Sequence, residues 1–149
     1  MPAVEIRKNV YWIGVNDRTT DLFEGIWPIE EEGVSYNSYL ILDKKKVLID
    51  LSKAIKADEY FDQIRDLVPI EELDYIVMNH LEPDHSGVLQ IFRSINPKAV
   101  ILGTPKMKEM LAGFYGITEN FQEVQDGETL DIGSRKLQFY MTPMVHWPE

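Results

Sequence analysis

With 149 residues, 44% apolar and 11% aromatic, the chain has the size and composition of one globular domain with a true core. Its net charge of −10 sets electrostatics against nucleic acid and against an anionic membrane surface. It holds no cysteine, which excludes disulfides, iron–sulfur ligation and thiol catalysis within it. It also shows no signal-peptide apolar region after Met1 and no run of membrane-span length, so a cytoplasmic location is expected.

In chain order, Val4–Arg7 and Val10–Val15 read as strands joined by a turn at Lys8-Asn9. Asn16–Asp21 is polar and loop-like, Leu22–Trp27 reads as a further short strand, and Glu30-Glu31-Glu32-Gly33 as an acidic loop. Val34–Asp43 and Val47–Asp50 form a second expected hairpin around Lys44-Lys45-Lys46, a solvated turn rather than a basic patch. Tyr36 and Tyr39 read as strand-face or core residues, with the alternative that they look toward a site. Tyr60, Phe61, Ile64, Leu67 and Val68 mark a helix buried on one face and ended by Pro69.

Asp74–Met78 is short, apolar and β-branched, a core strand. Val88, Leu89, Phe92 and Ile95 then fall on one helical face, and Ser86 or Asp84 is placed to cap that helix. Asn96-Pro97 breaks it. Ala99–Leu102 reads as a central strand, and Thr104-Pro105 as a capped helix start. Met107, Met110, Leu111 and Phe114 give that helix its buried stripe, and Gly116 its stop. Phe121–Val124, Thr129–Ile132 and Arg135–Met141 return to strands. Hairpins, alternating helices and strands, then hairpins again predict a mixed sheet covered by helices.

The chemistry concentrates between the Asp74–Met78 strand and the following helix, in Asn79-His80-Leu81-Glu82-Pro83-Asp84-His85-Ser86-Gly87. His80, Glu82, Asp84 and His85 are four metal-capable side chains on a tight strand-to-helix connection, where groups are exposed yet held by rigid neighbours. In an extended loop the alternating His80, Glu82 and Asp84 point to one side. His146 stands at a strand end far along the chain. With His80 and Glu82 it makes a two-histidine, one-carboxylate set of the kind that holds oxygen-reactive non-haem iron, and Asp84, with or without His85, begins a second position. The bland alternative is a capping Asp84, a solvated Glu82, a satisfied core His80 and a frayed His146.

His80-x-Glu82-x-Asp84-His85 resembles the signature of the metallo-β-lactamase superfamily in the variant with glutamate at the second ligand. With Tyr36-Asn37-Ser38-Tyr39-Leu40 upstream and Thr142-Pro143-Met144-Val145-His146-Trp147-Pro148 downstream, the whole chain is similar to flavodiiron proteins, also called rubredoxin:oxygen oxidoreductases or A-type flavoproteins. The resemblance implies an αββα sandwich of which this chain is roughly the first half or somewhat more, 1–149, without the flavodoxin-like domain. It implies His80, Glu82 and His146 on one iron and Asp84 on the other, with His85 a ligand in some members only. Trp147, after His146, packs to orient that ligand. A bridging aspartate and a last histidine are implied beyond His146. The implied cofactors are two non-haem irons, with FMN in the intact protein but not bound by this chain.

The implied activity is reduction of dioxygen to water or of nitric oxide to nitrous oxide, with a rubredoxin-like or flavin electron donor. Neither nucleic acid nor membrane is an expected partner, and the intact protein is expected to be a homo-oligomer, a dimer or tetramer. A flavin-free oxygen sensor or carrier is the first alternative. A zinc hydrolase is the second; the superfamily's hydrolases carry histidine where this chain has Glu82, and both Glu82 and the acidic charge speak against it.

Overall fold

A computed structural model describes residues 2–149. β1 (Val4–Arg7) and β2 (Val10–Trp12) open the chain, followed by β3 (Val15–Asp17), a small hairpin of β4 (Leu22–Phe23) and β5 (Trp27–Pro28), and β6 (Val34–Tyr36). β7 (Tyr39–Leu42), β8 (Lys46–Ile49), α1 (Ala57–Arg65) and β9 (Tyr75–Val77) come next. α2 (Pro83–Ser86), α3 (Leu89–Ile95), β10 (Val100–Gly103), α4 (Pro105–Tyr115), β11 (Phe121–Glu123), β12 (Thr129–Asp131) and β13 (Lys136–Gln138) complete it.

Seven strands form one sheet in the order β1-β2-β7-β8-β9-β10-β11. Pairing is antiparallel up to β8 and parallel from β8 through β11. Register explains why these strands read as unbroken apolar runs. Leu40, Leu48, Ile76 and Ile101 are mutual partners across four strands, all fully buried, and pack with Tyr60, Ile64, Leu89, Phe92, Met107 and Leu111 of the helices. Their neighbours Ile41, Val47, Val77 and Leu102 turn to the opposite face, where Val124, Ile132 and the β12–β13 hairpin cover them. Successive residues point to opposite faces, and both faces are covered, so no polar position is left in the run. Each such side chain contributes about 1.5–3 kcal/mol by burial. Helices, seven-stranded sheet and second small sheet give the layer order of the expected sandwich.

Several expected elements divide. Val10–Val15 breaks at Ile13-Gly14, where the chain passes so close to Tyr36 O and the Trp12 ring that a side chain at Gly14 has no space. Val34–Asp43 breaks at Asn37-Ser38, where Asn37 Oδ1 accepts from Trp12 Nε1 (2.9 Å) and the buried Ser38 hydroxyl donates to Asp50 O (2.8 Å). β6 therefore leaves the main sheet and pairs with β3, which includes Asn16 and Asp17 of the expected loop. Leu22–Trp27 is a hairpin rather than a strand, turning on positive φ at Glu24 and Gly25. β10 lies next to the edge of the sheet, not at its centre. Thr104 caps α4 by accepting from Met107 N (3.0 Å), and Gly116 ends it at φ 66°, as the sequence indicates. Phe114 departs from the buried stripe and is 67% exposed. Among the described residues, no helix is long and apolar enough to cross a membrane.

Candidate metal centre

Parallel strands present their C-terminal ends side by side, and the candidate ligands from His80 to His85 follow one of them, whereas His146 comes from a bend eight residues after β13 ends at Gln138, not from a strand end as the sequence suggests. β9 delivers Asn79 and His80, while β8 delivers Asp50 beside them. Asp50 adopts φ 51°, a left-handed conformation that Asp tolerates better than most residues. From there its Oδ1 accepts from Asn79 N (2.7 Å) and, at 3.3 Å, from His80 N, while its Oδ2 accepts from Asn79 Nδ2 (3.2 Å). Backbone bonds complete the seam: Asp50 N to Val77 O (2.8 Å), Leu51 N to His85 O (3.0 Å) and Val88 N to Ser52 O (3.1 Å). One buried carboxylate thus holds the backbone on which the first histidine is carried.

Pro83 starts α2 directly after Glu82, so the loop turns helical where the sequence suggests extended chain. Neither Ser86 nor Asp84 caps a helix: α2 and α3 begin without side-chain caps. Ser86 instead lies inside α2, donates to Leu81 O (2.7 Å) and accepts from Tyr115 OH (2.7 Å), fastening the loop to the end of α4. At the α2–α3 junction, a Cβ on Gly87 would lie 2.6 Å from both Ala54 N and Pro83 O. Only glycine permits that approach.

His80, Glu82 and His146 converge. One ligand atom from each lies within 4.8 Å of the others. Glu82 Oε2 is 3.0 Å from His80 Nε2 and 3.2 Å from His146 Nε2. His80 is shielded, its ring meeting His146 at 5.1 Å and Trp147 at 5.3 Å between centroids, whereas the His146 side chain is 73% exposed. Trp147 stands edge-on to His80 and also meets Phe114, and so packs against His80 rather than only beside its own neighbour His146.

Asp84 and His85 do not join that trio. Because α2 has begun, they form an adjacent group: Asp84 Oδ2 lies 3.5 Å from His85 Nε2, and Asp50 Oδ2 lies 3.5 Å from His85 Nδ1. The His85 ring is nonetheless 5.3 Å from the His80 ring. Asp84 Oδ1 is buried without a hydrogen-bond partner. Burial pushes the Asp84 carboxyl up, with the charges of Glu82 and Glu24 adding to it against the opposing pull of His85. The Asp50 carboxylate, ahead of the burial that opposes it and aided by Asp84 and Glu82, raises the His85 imidazole.

Sequence reasoning missed Asp50 and Glu149. Asp50 carried a faint signal, a lone carboxylate ending an apolar strand. Glu149 carried none, yet its side chain is 1% exposed and its Oε1 lies 2.9 Å from His80 Nδ1. Tyr36, by contrast, is buried as a core residue, donating to Asp17 Oδ2 (2.9 Å) beneath the Lys53 ammonium.

Residues 34–149 match the family described as ODP family beta lactamase. The chain is 37% identical over its whole length to the flavo-diiron protein FprA2 of Clostridium acetobutylicum, covering 38% of that protein. It is 37% identical over 99% of its length to an anaerobic nitric oxide reductase flavorubredoxin of Salmonella arizonae, covering 31% of it. Among solved structures, the rubredoxin oxygen:oxidoreductase of Desulfovibrio gigas superposes with a TM-score of 0.92 at 31% identity, over 98% of this chain and 36% of that one. The chain thus spans about a third of the length of the curated relatives it matches. With residues 34–149 matched, a stretch that takes in the candidate His-Glu-His trio, the chain belongs to the ODP family of beta lactamases.

Proposed function

We propose that the protein carrying this chain is a diiron oxidoreductase that reduces dioxygen to water, nitric oxide to nitrous oxide, or both. The observation that carries the reading is Glu82, whose single oxygen Oε2 stands between two imidazoles at 3.0 and 3.2 Å. A carboxylate between two neutral imidazoles is a donor set suited to iron, harder than one of nitrogen alone. His80, Glu82 and His146 hold the first ion in this reading. Asp84, with its orphaned buried Oδ1, begins the second position, and His85 Nε2 stands beside it. When bound, the iron pair supplies a binding place for a diatomic substrate and the electrons for its reduction.

The chain's own residues prepare that place. Asp50 and Ser86 lock the backbone on either side of His80 and Glu82, so the ligands are oriented before an ion arrives. Trp147 keeps water from one side of the His80 ring. Lys53, paired with Glu24 at 3.0 Å and lying over the Tyr36 ring, offsets the charge of Glu24, one of the carboxylates that act on Asp84.

The names flavo-diiron protein, flavorubredoxin and rubredoxin oxygen:oxidoreductase support a flavin and a rubredoxin-like donor in the whole protein, and the rest of the proposal extends that reading. In this reading 1–149 is the N-terminal portion of the diiron domain, and FMN with its flavodoxin-like domain is carried outside this stretch. A rubredoxin-like or flavin donor supplies electrons, the assembly is a homo-oligomer, and a cytoplasmic location fits soluble reduced carriers.

Gas uptake by the full-length protein with reduced rubredoxin tests the reading. Glu82→Ala is expected to lose iron and to lower dioxygen and nitric oxide consumption at least about 100-fold, since a ligand is removed outright. Uptake unchanged in Glu82→Ala would refute the proposal, as would no uptake in the native protein together with zinc-dependent hydrolysis.

A further inference from the structure

His80 lies between two carboxylates. Its Nε2 faces Glu82 Oε2 at 3.0 Å, and its Nδ1 faces Glu149 Oε1 at 2.9 Å. That same Glu149 oxygen accepts from Leu81 N at 2.8 Å, so one atom holds both the ring and the backbone that follows it. The Glu149 side chain is 1% exposed, and its other oxygen is buried without a hydrogen-bond partner. A carboxylate this deeply enclosed, which among the described residues forms no ion pair with a lysine or arginine, needs compensation from what it touches.

We infer that Glu149 is a positioning residue for the metal: it holds the proton of His80 on Nδ1 and so presents the Nε2 lone pair to the ion. The inference rests on the proposed reading of His80, Glu82 and His146 as ligands. A neutral imidazole carries one N–H, and which nitrogen bears it is set by the partner of the other. Both ring nitrogens face carboxylate oxygens, which only accept; with Nε2 given to the ion in the proposed reading, the one proton is left on Nδ1, where it donates to Glu149 Oε1. The lone pair is then left on the nitrogen that lies 3.0 Å from Glu82 Oε2, where the three ligand atoms converge. The bond to Leu81 N fixes the height of the ring, because Leu81 is fully packed in the core. Ion, imidazole and buried carboxylate in line make an arrangement that raises ligand basicity and locks ring rotation. A purely structural Glu149 would need the Leu81 bond alone and would be indifferent to which His80 nitrogen binds metal.

Two measurements on the full-length protein test this. In the Zn2+-loaded native protein labelled with 15N-histidine, and assigned with His80→Gln, His80 is expected to be metallated at Nε2 with an exchange-protected Nδ1–H. Metallation at Nδ1 overturns the inference, whether or not any Glu149 variant folds. In Co2+ titrations, Glu149→Ala is expected to weaken binding roughly 10- to 100-fold, with Glu149→Gln, which keeps an accepting oxygen, falling between it and the native protein. Native binding with both variants unchanged and folded overturns the role of Glu149 and leaves the metal reading standing. No Co2+ or Zn2+ binding by the native protein overturns the metal reading and this inference with it.

Discussion

Asp50→Asn is the sharpest probe of how the ligand loop is held. Asparagine tolerates φ 51° as well as aspartate does, so the substitution isolates the hydrogen bonds from backbone strain. Asp50 accepts from Asn79 N (2.7 Å), Asn79 Nδ2 (3.2 Å) and His80 N (3.3 Å), and faces His85 Nδ1 at 3.5 Å. Bonds to a charged acceptor are worth about 1.5–3 kcal/mol and neutral ones about 0.5–1.5 kcal/mol. The Asn79 N bond survives in weaker form, the His80 N bond is long in either case, and the Asn79 Nδ2 bond becomes a contact between two donors. The expected loss is therefore about 3 kcal/mol of stability. Urea unfolding reads that loss, and a Co2+ titration on the same variant should show affinity lowered about tenfold or more. A loss under about 1 kcal/mol with unchanged affinity would show that the β8–β9 backbone seam holds the loop without the carboxylate.

Three further perturbations have definite signs. Gly87→Ala should destabilise by about 1–3 kcal/mol in thermal unfolding despite its better helix propensity, because the new Cβ meets backbone at 2.6 Å on two sides; equal or higher stability contradicts the packing. Burial alone would raise the Asp17 carboxyl, but bonds from Thr20 Oγ1, Thr19 N, Thr19 Oγ1 and Tyr36 OH outweigh it and hold it well below the usual carboxylate range. A depressed folded pKa contributes stability above the unfolded value of about 3.9 and loses it as pH falls below, so the deficit of Asp17→Asn should be constant from pH 7 to 5 and shrink below pH 4. A deficit that grows on acidification refutes that assignment. Trp147→Phe should keep the metal and most reductase activity, since a phenyl ring still packs on His80 and Phe114; full metal content with most activity lost would give the indole a direct part in the chemistry.

What the sequence disclosed was local. α4 was legible because Thr104, Pro105 and Gly116 each act within one turn, and the His80, Glu82, His146 trio because ligand types and spacing are chemical signals. The break at Asn37-Ser38 was not legible, since it depends on Trp12, Asp50 and Tyr60, which reach it only through the fold. Alternation puts Asp84 on the face of His80 and Glu82 only in extended chain, which Pro83 ends by starting α2. Phe114 followed the helical period, but the surface opposite it at that end of α4 is Trp147 and solvent rather than the core. Glu149 matters only through Leu81 and His80, 68 and 69 positions away, a distance no local pattern spans.

The central claim, that a carboxylate between two imidazoles selects a pair of irons, is tested most directly by metal content. Elemental analysis of the full-length protein, expressed with iron and zinc both supplied, should give two irons per chain and little zinc, with Glu82→Ala losing at least one iron. Zinc alone at full occupancy, with hydrolytic turnover, would contradict it.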